Sequence, residues 1–190
     1  MASAIRKAAD AGADWIQIRE KHMAARDLFR VAHDAIAAAA GGARVLINDR
    51  LDVALASRAA GVHLGAESAP VDAVAKWCRA GNAPEQFLIG RSCHDLEEAL
   101  KAERDGASYI FFGPVFATPS KMRYGPPQGV VRLREVASQL RIPVLAIGGI
   151  DAGNAAECLR AGAAGIAAIR FFQRSLSADE LKQQLSLIRQ

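Results

Sequence analysis

Residues 9–18, ADAGADWIQI, decide the fold, because their pattern returns three more times along the chain. In each copy the end of a helical pattern is followed by a glycine and then by a short apolar run. The other copies are AAGVHL (59–64), RDGASYIFF (104–112) and RAGAAGIAAI (160–169). A glycine just past a helix provides the left-handed conformation that turns the chain, and a near-continuous apolar run is typical of a buried parallel strand. The repeat predicts a parallel α/β fold, and we expect a (β/α)8 barrel with its site at the carboxyl ends of the strands.

The number of predicted strands falls one short of a complete barrel. The first predicted element is a helix over residues 4–11 rather than a strand. The length of 190 residues suits one domain. We expect a single barrel domain over residues 1–190 that lacks its first strand or is truncated there, and an open, doubly wound sheet is the structural alternative. The seven predicted strands are 15–19, 44–48, 61–64, 87–92, 109–112, 144–147 and 166–169.

The composition and charge are compatible with an anionic small substrate but by themselves indicate no particular partner. The net charge of +4 suits a negatively charged small substrate, but the basic residues form no stripe interleaved with aromatic residues, so we expect no nucleic-acid partner. No apolar stretch is long enough to span a membrane, and the first residues lack a secretion signal. Cys78, Cys93 and Cys158 fit neither a zinc site nor a disulfide framework, which favours a reducing cytoplasm. The sequence leaves a homodimer open.

The first candidate site residues follow the first two predicted strands. Alternate residues of a strand share a face, so Gln17, Arg19 and Lys21 would converge on one ligand; the alternative is that Arg19 and Lys21 lie past the strand in solvent. Asn48 and Asp49 end the second strand. Asp49 suits Mg²⁺, which takes one or two carboxylates plus substrate phosphates, and it equally suits the N-cap of the next helix.

Further candidates follow the later strands. Ser92 and His94 end the fourth strand, where His94 can move protons near neutral pH. Nothing marks Cys93 between them as a thiolate nucleophile, and His63 is expected to be a core histidine. The long loop 113–129 carries Thr118, Ser120 and Lys121, which suit an anion or an ordinary surface loop.

A glycine pair and an arginine complete the candidates. Gly148 and Gly149 end the sixth predicted strand, where glycines let backbone N–H groups approach a phosphate closely. An ordinary tight turn is the alternative for this pair. Arg170 follows the last predicted strand.

These motifs, taken in order, resemble the thiamine-phosphate synthase/TenI family over about residues 12–170. The family fold is a (β/α)8 barrel. The resemblance implies a synthase that joins hydroxymethylpyrimidine diphosphate to a thiazole phosphate and releases pyrophosphate. The motifs are Gln-x-Arg-x-Lys (17–21), Asn-Asp-Arg-x-Asp-x-Ala-x-Ala (48–56), Gly-Val-His-Leu-Gly (61–65), Ile-Gly-Arg-Ser-Cys-His (89–94), Gly-Pro-Val-Phe-Ala-Thr-Pro-Ser-Lys (113–121) and Ala-Ile-Gly-Gly-Ile (146–150).

The resemblance also implies roles for single residues. Mg²⁺ would be held by Asp49, and the reacting centre would lie near Ser92, with His94 and Lys121 completing the catalytic set. Residues implied to bind substrate phosphates are Gln17, Arg19, Lys21, Asn48, Thr118, Ser120, Gly148 and Gly149.

The chain departs from the synthase pattern at two of these sites. After His-Leu-Gly the family has Gln, a variable residue and a metal-binding Asp, whereas this chain has Ala66, Glu67 and Ser68, so Glu67 is the candidate second metal ligand. Arg170 replaces a small serine and would bind phosphate or fill the pocket. TenI proteins, which isomerise a thiazole tautomer with a histidine that His94 matches, are the alternative, and an inactive thiazole-phosphate-binding homologue is a third hypothesis.

Overall fold

The computed structural model describes residues 1–40, 42–118, 126–173 and 177–188. Two compact units are distinguished by their internal contacts. The first unit comprises residues 1–89 with the described part of 175–187, and the second comprises residues 90–174 with Ile188, again as far as they are described.

The first unit alternates helices with parallel strands. Its strands pair in register, with Gln17 opposite Leu46 and Asn48 opposite His63. Its elements are α1 (Ala2–Asp10), β1 (Trp15–Ile18), α2 (Ala25–Ala38), β2 (Arg44–Asn48), α3 (Leu51–Ala56), β3 (Gly61–Leu64) and α4 (Val71–Trp77), followed by a π-helical turn (Cys78–Asn82).

The second unit continues the same alternation. The strand β4 (Leu88–Cys93) begins at the division between the units, and Ser92 pairs with Phe111 of β5. The other elements are α5 (Leu96–Asp105), β5 (Tyr109–Phe112), α6 (Gly129–Gln139), β6 (Val144–Ile147), α7 (Ala155–Arg160), β7 (Gly165–Ala167) and α8 (Arg170–Gln173). The last helix, α9 (Ala178–Ile188), belongs almost entirely to the first unit.

The strands form one parallel sheet in the sequential order β1 to β7. This confirms the parallel α/β fold predicted from the repeated unit. A doubly wound sheet reverses its strand order at a switch point, and the sequential order lacks that reversal. The sheet of the described residues has seven strands, where a complete (β/α)8 barrel has eight.

The apolar runs of the sequence form the cores of both units. Every residue of β3 and of β5 is buried. Helix α2 adds Leu28, Ala32 and Ala35, whose spacing places them on one helix face. Each fully buried large apolar side chain contributes about 1.5–3 kcal/mol, so these strands and helix faces supply much of the stability. No helix of the described residues is both long and apolar enough to cross a membrane.

Glycine is required in the repeated unit for two different physical reasons. Gly12, Gly106 and Gly162 follow helices with φ of 94°, 100° and 95°, as the repeat predicts. Gly61 lies inside β3 instead, and the left-handed turn before it is made by Arg58, with φ 59°. A Cβ at Gly61 would lie 2.3 Å from the backbone oxygen of Leu88, so close strand packing requires this glycine.

Candidate functional site

The first unit brings two predicted amides together at the ends of β1 and β2. The Gln17 side chain donates a hydrogen bond from Nε2 to Oδ1 of Asn48 at 3.0 Å. Because this bond uses the Asn48 oxygen, it turns the Asn48 side-chain N–H groups away from Gln17. Those N–H groups can donate to an anion.

Of the two interpretations of Gln17, Arg19 and Lys21, the structure agrees with the one that places Arg19 and Lys21 past the strand in solvent. The strand ends at Ile18, so period-two alternation does not reach the two cations, and both are exposed. Across the described part of the chain neither Arg19 nor Lys21 has an ion-pair partner. Two exposed cations therefore follow β1, and no carboxylate of the described residues pairs with either of them.

Asp49 follows β2 in a left-handed conformation with φ 67°. Its backbone N–H donates to the carbonyl oxygen of His63 at 2.8 Å, which fixes the backbone against β3. The N-cap of α3 is Arg50, and no side chain caps this helix, so the predicted N-cap role of Asp49 is wrong. The Asp49 carboxylate is exposed. His63 is 2% exposed, as expected of a core histidine.

The residue next to Asp49 is engaged in an ion pair. The Arg50 guanidinium donates from Nε to Oδ1 of Asp52 at 2.9 Å and from Nη2 to Oδ2 at 2.6 Å. This bidentate bond, opposed by partial burial, raises the pKa of Arg50, and it lowers the pKa of the Asp52 carboxyl. The charge of Asp49 also raises the pKa of Arg50, which places Asp49 within electrostatic reach of that guanidinium.

The donor set near Asp49 fits a weakly held hard cation rather than a dedicated metal cage. Asp49 offers carboxylate oxygens that accept no hydrogen bond from the described residues. Glu67 is exposed just after β3. Among the described residues no three potential metal ligands cluster. One or two carboxylates plus substrate phosphates are an ordinary ligand set for Mg²⁺, so Asp49 fits the implied ion as a single protein ligand.

In the second unit, the His94 side chain is held in one tautomer. Its Nδ1 lies 2.5 Å from the carbonyl oxygen of Gly113, which can only accept, so Nδ1 carries the proton. The His94 backbone N–H donates to Glu98, while Asp95 caps α5 by accepting from the Glu98 N–H. With this proton on Nδ1, the lone pair of a neutral imidazole would be at Nε2.

The neighbours of His94 in β4 differ in burial. Cys93 is fully buried, and burial raises the pKa of its thiol to about 12. A neutral, inaccessible thiol is not a nucleophile, as the sequence predicts. Ser92 is half-buried in the same strand.

The predicted glycine pair is explained by packing. Gly148 and Gly149 have φ of 97° and 68°. A Cβ at Gly148 would lie 2.6 Å from Cα of Pro114, and one at Gly149 would lie 2.7 Å from the Ala117 carbonyl oxygen. The backbone N–H of Phe116 also donates to the Gly148 oxygen at 3.0 Å. Close approach of the segment after β5 therefore requires both glycines, whether or not a phosphate binds there.

Arg170 and Thr118 are brought together in the second unit. The Arg170 side chain donates from Nη2 to the Thr118 hydroxyl at 2.9 Å. Thr118 is 8% exposed, whereas Arg170 is exposed and is the first residue of α8. Two further predicted residues of the same loop, Ser120 and Lys121, lie outside the described residues.

Two supporting residues escaped the sequence-based prediction. Glu98 binds the His94 backbone, and the capping-box spacing Asp95-x-x-Glu98 was a readable signal for it. Asn154 donates from Nδ2 to the Gly149 oxygen at 3.0 Å and accepts from the Asp151 N–H. The Asp-x-Gly-Asn order at 151–154 is typical of a turn in which an Asn side chain hydrogen-bonds to nearby backbone groups.

Comparison with known proteins identifies the family. Residues 1–172 match the family described as thiamine monophosphate synthase. The chain belongs to this family.

Individual members of the thiamine monophosphate synthase family agree with this assignment. The thiamine-phosphate synthase of Methanocella arvoryzae is 48% identical over 86% of this chain and 76% of its own length. The one from Chlorobium luteolum is 42% identical over 93% of this chain and 82% of its own length. The solved structure of thiamine phosphate pyrophosphorylase from Pyrococcus furiosus has a TM-score of 0.88 at 32% identity, covering 99% of this chain and 89% of that one. These names favour the synthase branch of the family over the TenI alternative.

Proposed function

We propose that this chain is a thiamine-phosphate synthase that joins hydroxymethylpyrimidine diphosphate to a thiazole phosphate and releases pyrophosphate. The names of its relatives support this assignment. The observation that carries it is at the carboxyl ends of β1 and β2 in the first unit. There a pair of hydrogen-bonded amides lies beside a carboxylate and two cations that have no ion-pair partner among the described residues. A diphosphate with Mg²⁺ needs this combination of donors and charges.

The first unit would bind the diphosphate. Arg19 offers a planar fork of N–H donors that suits phosphate oxygens, and Lys21 offers a point charge. The Asn48 amide, oriented by Gln17, adds a neutral donor. As the C–O bond to the diphosphate breaks, negative charge develops on the leaving pyrophosphate, and these groups would stabilise it.

A divalent cation would be held by Asp49, with Glu67 as the candidate second ligand. When bound, Mg²⁺ supplies neutralisation of the leaving-group charge. The chain's own contribution is the position of the Asp49 carboxylate, which its backbone bond to His63 fixes at the end of β2.

The second unit would bind the thiazole phosphate. Its phosphate would meet the Arg170 guanidinium, the Thr118 hydroxyl and the backbone around Gly148 and Gly149. The thiazole nitrogen then forms the C–N bond to the pyrimidine methylene carbon as the C–O bond to pyrophosphate is lost. Ser92 and His94 are the proposed polar groups near this step, with Ser120 and Lys121 as predicted phosphate ligands.

The parallel sheet and the cysteines support two coarser proposals. Sequential strand order and family membership support assignment to the (β/α) barrel class. Free Cys78, Cys93 and Cys158 suit a reducing cytoplasm. A homodimer stays an untested prediction.

The test is direct assay of the purified chain with both substrates and Mg²⁺. Formation of thiamine phosphate that Asp49→Asn lowers about a hundredfold is the expected result. Isomerisation of the thiazole tautomer that His94→Ala abolishes, without thiamine phosphate formation, would instead establish the TenI-like activity. The fixed tautomer of His94 is the observation that keeps this second candidate in the test. Binding of thiazole phosphate with neither reaction would identify an inactive homologue.

A further inference from the structure

We propose that Asp52 is a positioning residue that holds the Arg50 guanidinium away from the Asp49 carboxylate and so keeps Asp49 available to a divalent cation. The inference rests on the proposed function, because it concerns the carboxylate assigned there to Mg²⁺. It adds a residue that touches neither the ion nor the substrate.

The Arg50–Asp52 contact has the geometry of a restraint. Both carboxylate oxygens of Asp52 accept from Arg50, at 2.9 Å and 2.6 Å, so the guanidinium is fixed in position and in orientation. The pair is local, since Arg50 is the N-cap of α3 and Asp52 lies in its first turn. Forming the bond therefore orders only a short segment of chain.

Asp49 has the complementary arrangement, with a fixed backbone and an uncommitted side chain. Its N–H donates to His63 and its carbonyl oxygen accepts from Leu51 at 3.2 Å. No hydrogen bond to its carboxylate is present in the described part of the chain. The Asp49 carboxylate is thus presented at the end of β2 without a hydrogen-bond partner among the described residues.

Among the described residues, the carboxylates whose charge acts on Arg50 are those of Asp52 and Asp49. If the charge of Asp52 is removed, Asp49 is the remaining one of the two, on the adjacent residue. A guanidinium that pairs with Asp49 competes with a cation for the same oxygens. An exposed ion pair of this kind would weaken cation binding about two- to fivefold.

The test measures binding of Mn²⁺ to the full chain in the presence of inorganic pyrophosphate, by the electron paramagnetic resonance signal of free Mn²⁺. Asp52→Asn should weaken Mn²⁺ binding about two- to fivefold. The double variant Arg50→Gln/Asp52→Asn should restore the wild-type affinity, because no guanidinium remains to compete. Asp72→Asn is the matched control, since Asp72 is an exposed acidic residue in the first turn of α4. It should leave Mn²⁺ binding unchanged.

The rescue separates positioning from a structural effect. A loss in Asp52→Asn that the double variant does not restore, or a loss equal to that of Asp72→Asn, would overturn the inference. The inference would also be overturned if Asp52→Asn strengthens pyrophosphate binding in the absence of metal, because the released Arg50 would then bind phosphate. Asp49→Asn distinguishes the two proposals. If it binds Mn²⁺ like the wild type, both the metal role of Asp49 and this inference fail, whereas an effect confined to Asp49→Asn overturns the inference alone.

Discussion

Replacement of Gly149 by alanine tests whether the glycine pair after β6 is required by tight packing or only by the backbone conformation of an open turn. Gly149 has φ 68°, which costs an alanine about 1–2 kcal/mol. The new Cβ would also lie 2.7 Å from Cβ of Phe116 and from the Ala117 oxygen. Because one of these atoms is backbone, the segment must shift, and overpacking of this kind costs about 1–3 kcal/mol. We expect Gly149→Ala to lower the free energy of unfolding by about 2–5 kcal/mol.

Gly129→Ala is the matched control, because Gly129 lies in the same unit with φ 72° and a Cβ there would meet no described atom within 4 Å. Gly129→Ala should lower the free energy of unfolding only by the cost of the left-handed backbone, about 1–2 kcal/mol. Urea unfolding followed by circular dichroism measures the free energy of unfolding of both variants. In thermal melts followed by the same signal, Gly149→Ala should melt about 2–12 °C below Gly129→Ala. Equal stabilities of the two variants would refute the packing explanation and leave phosphate binding as the reason for Gly149.

Four further predictions address the site and its supports. Asp49→Asn should lower the rate of thiamine phosphate formation about a hundredfold without changing the melting temperature; an unchanged rate would remove Asp49 from the mechanism. Arg170→Ser should raise the KM for the thiazole phosphate about tenfold and leave the KM for the pyrimidine diphosphate unchanged; equal changes in both constants would contradict its assignment to one substrate. Glu103→Ala removes a carboxylate oxygen that accepts from two backbone N–H groups at 2.6 Å and 3.0 Å, and it should lower the free energy of unfolding by about 1–3 kcal/mol in urea titrations; a change below this range would mean that water replaces the carboxylate. Cys93 should resist iodoacetamide at about pH 8 until the chain unfolds. Because burial raises the pKa of its thiol to about 12, the free energy of unfolding should fall as pH rises from about 8.5 towards that value. If a Cys93→Ala variant shows the same alkaline loss of stability, the loss does not come from Cys93.

The strands were predictable because each is specified by its own residues. The bounds predicted for residues 44–48, 61–64, 109–112 and 144–147 agree with β2, β3, β5 and β6. Apolar runs bounded by glycine or polar residues carry this information locally. The ends of β1 and β7 were predicted too long, because polar or small residues after a strand do not reveal where pairing with the neighbouring strand stops.

Part of the candidate site was predictable for the same reason. Polar residues at or just past the end of an apolar run are visible in the sequence, so Gln17, Asn48 and Asp49 could be singled out. The structure brings Gln17 and Asn48 into contact. The left-handed conformation of Asp49 was not predictable, because a non-glycine residue adopts it only when surrounding contacts hold it there.

The sequence by itself determined the parallel α/β class, the recurring helix–glycine–strand unit and the residues that follow each strand, because these depend on side chains only a few positions apart. The tertiary structure alone decided the tautomer of His94, the contact of Arg170 with Thr118 and the packing need for Gly149. Each of these depends on atoms 19 or more residues away along the chain. Such distances are set by how strands and loops pack, and no local pattern of residue types encodes them.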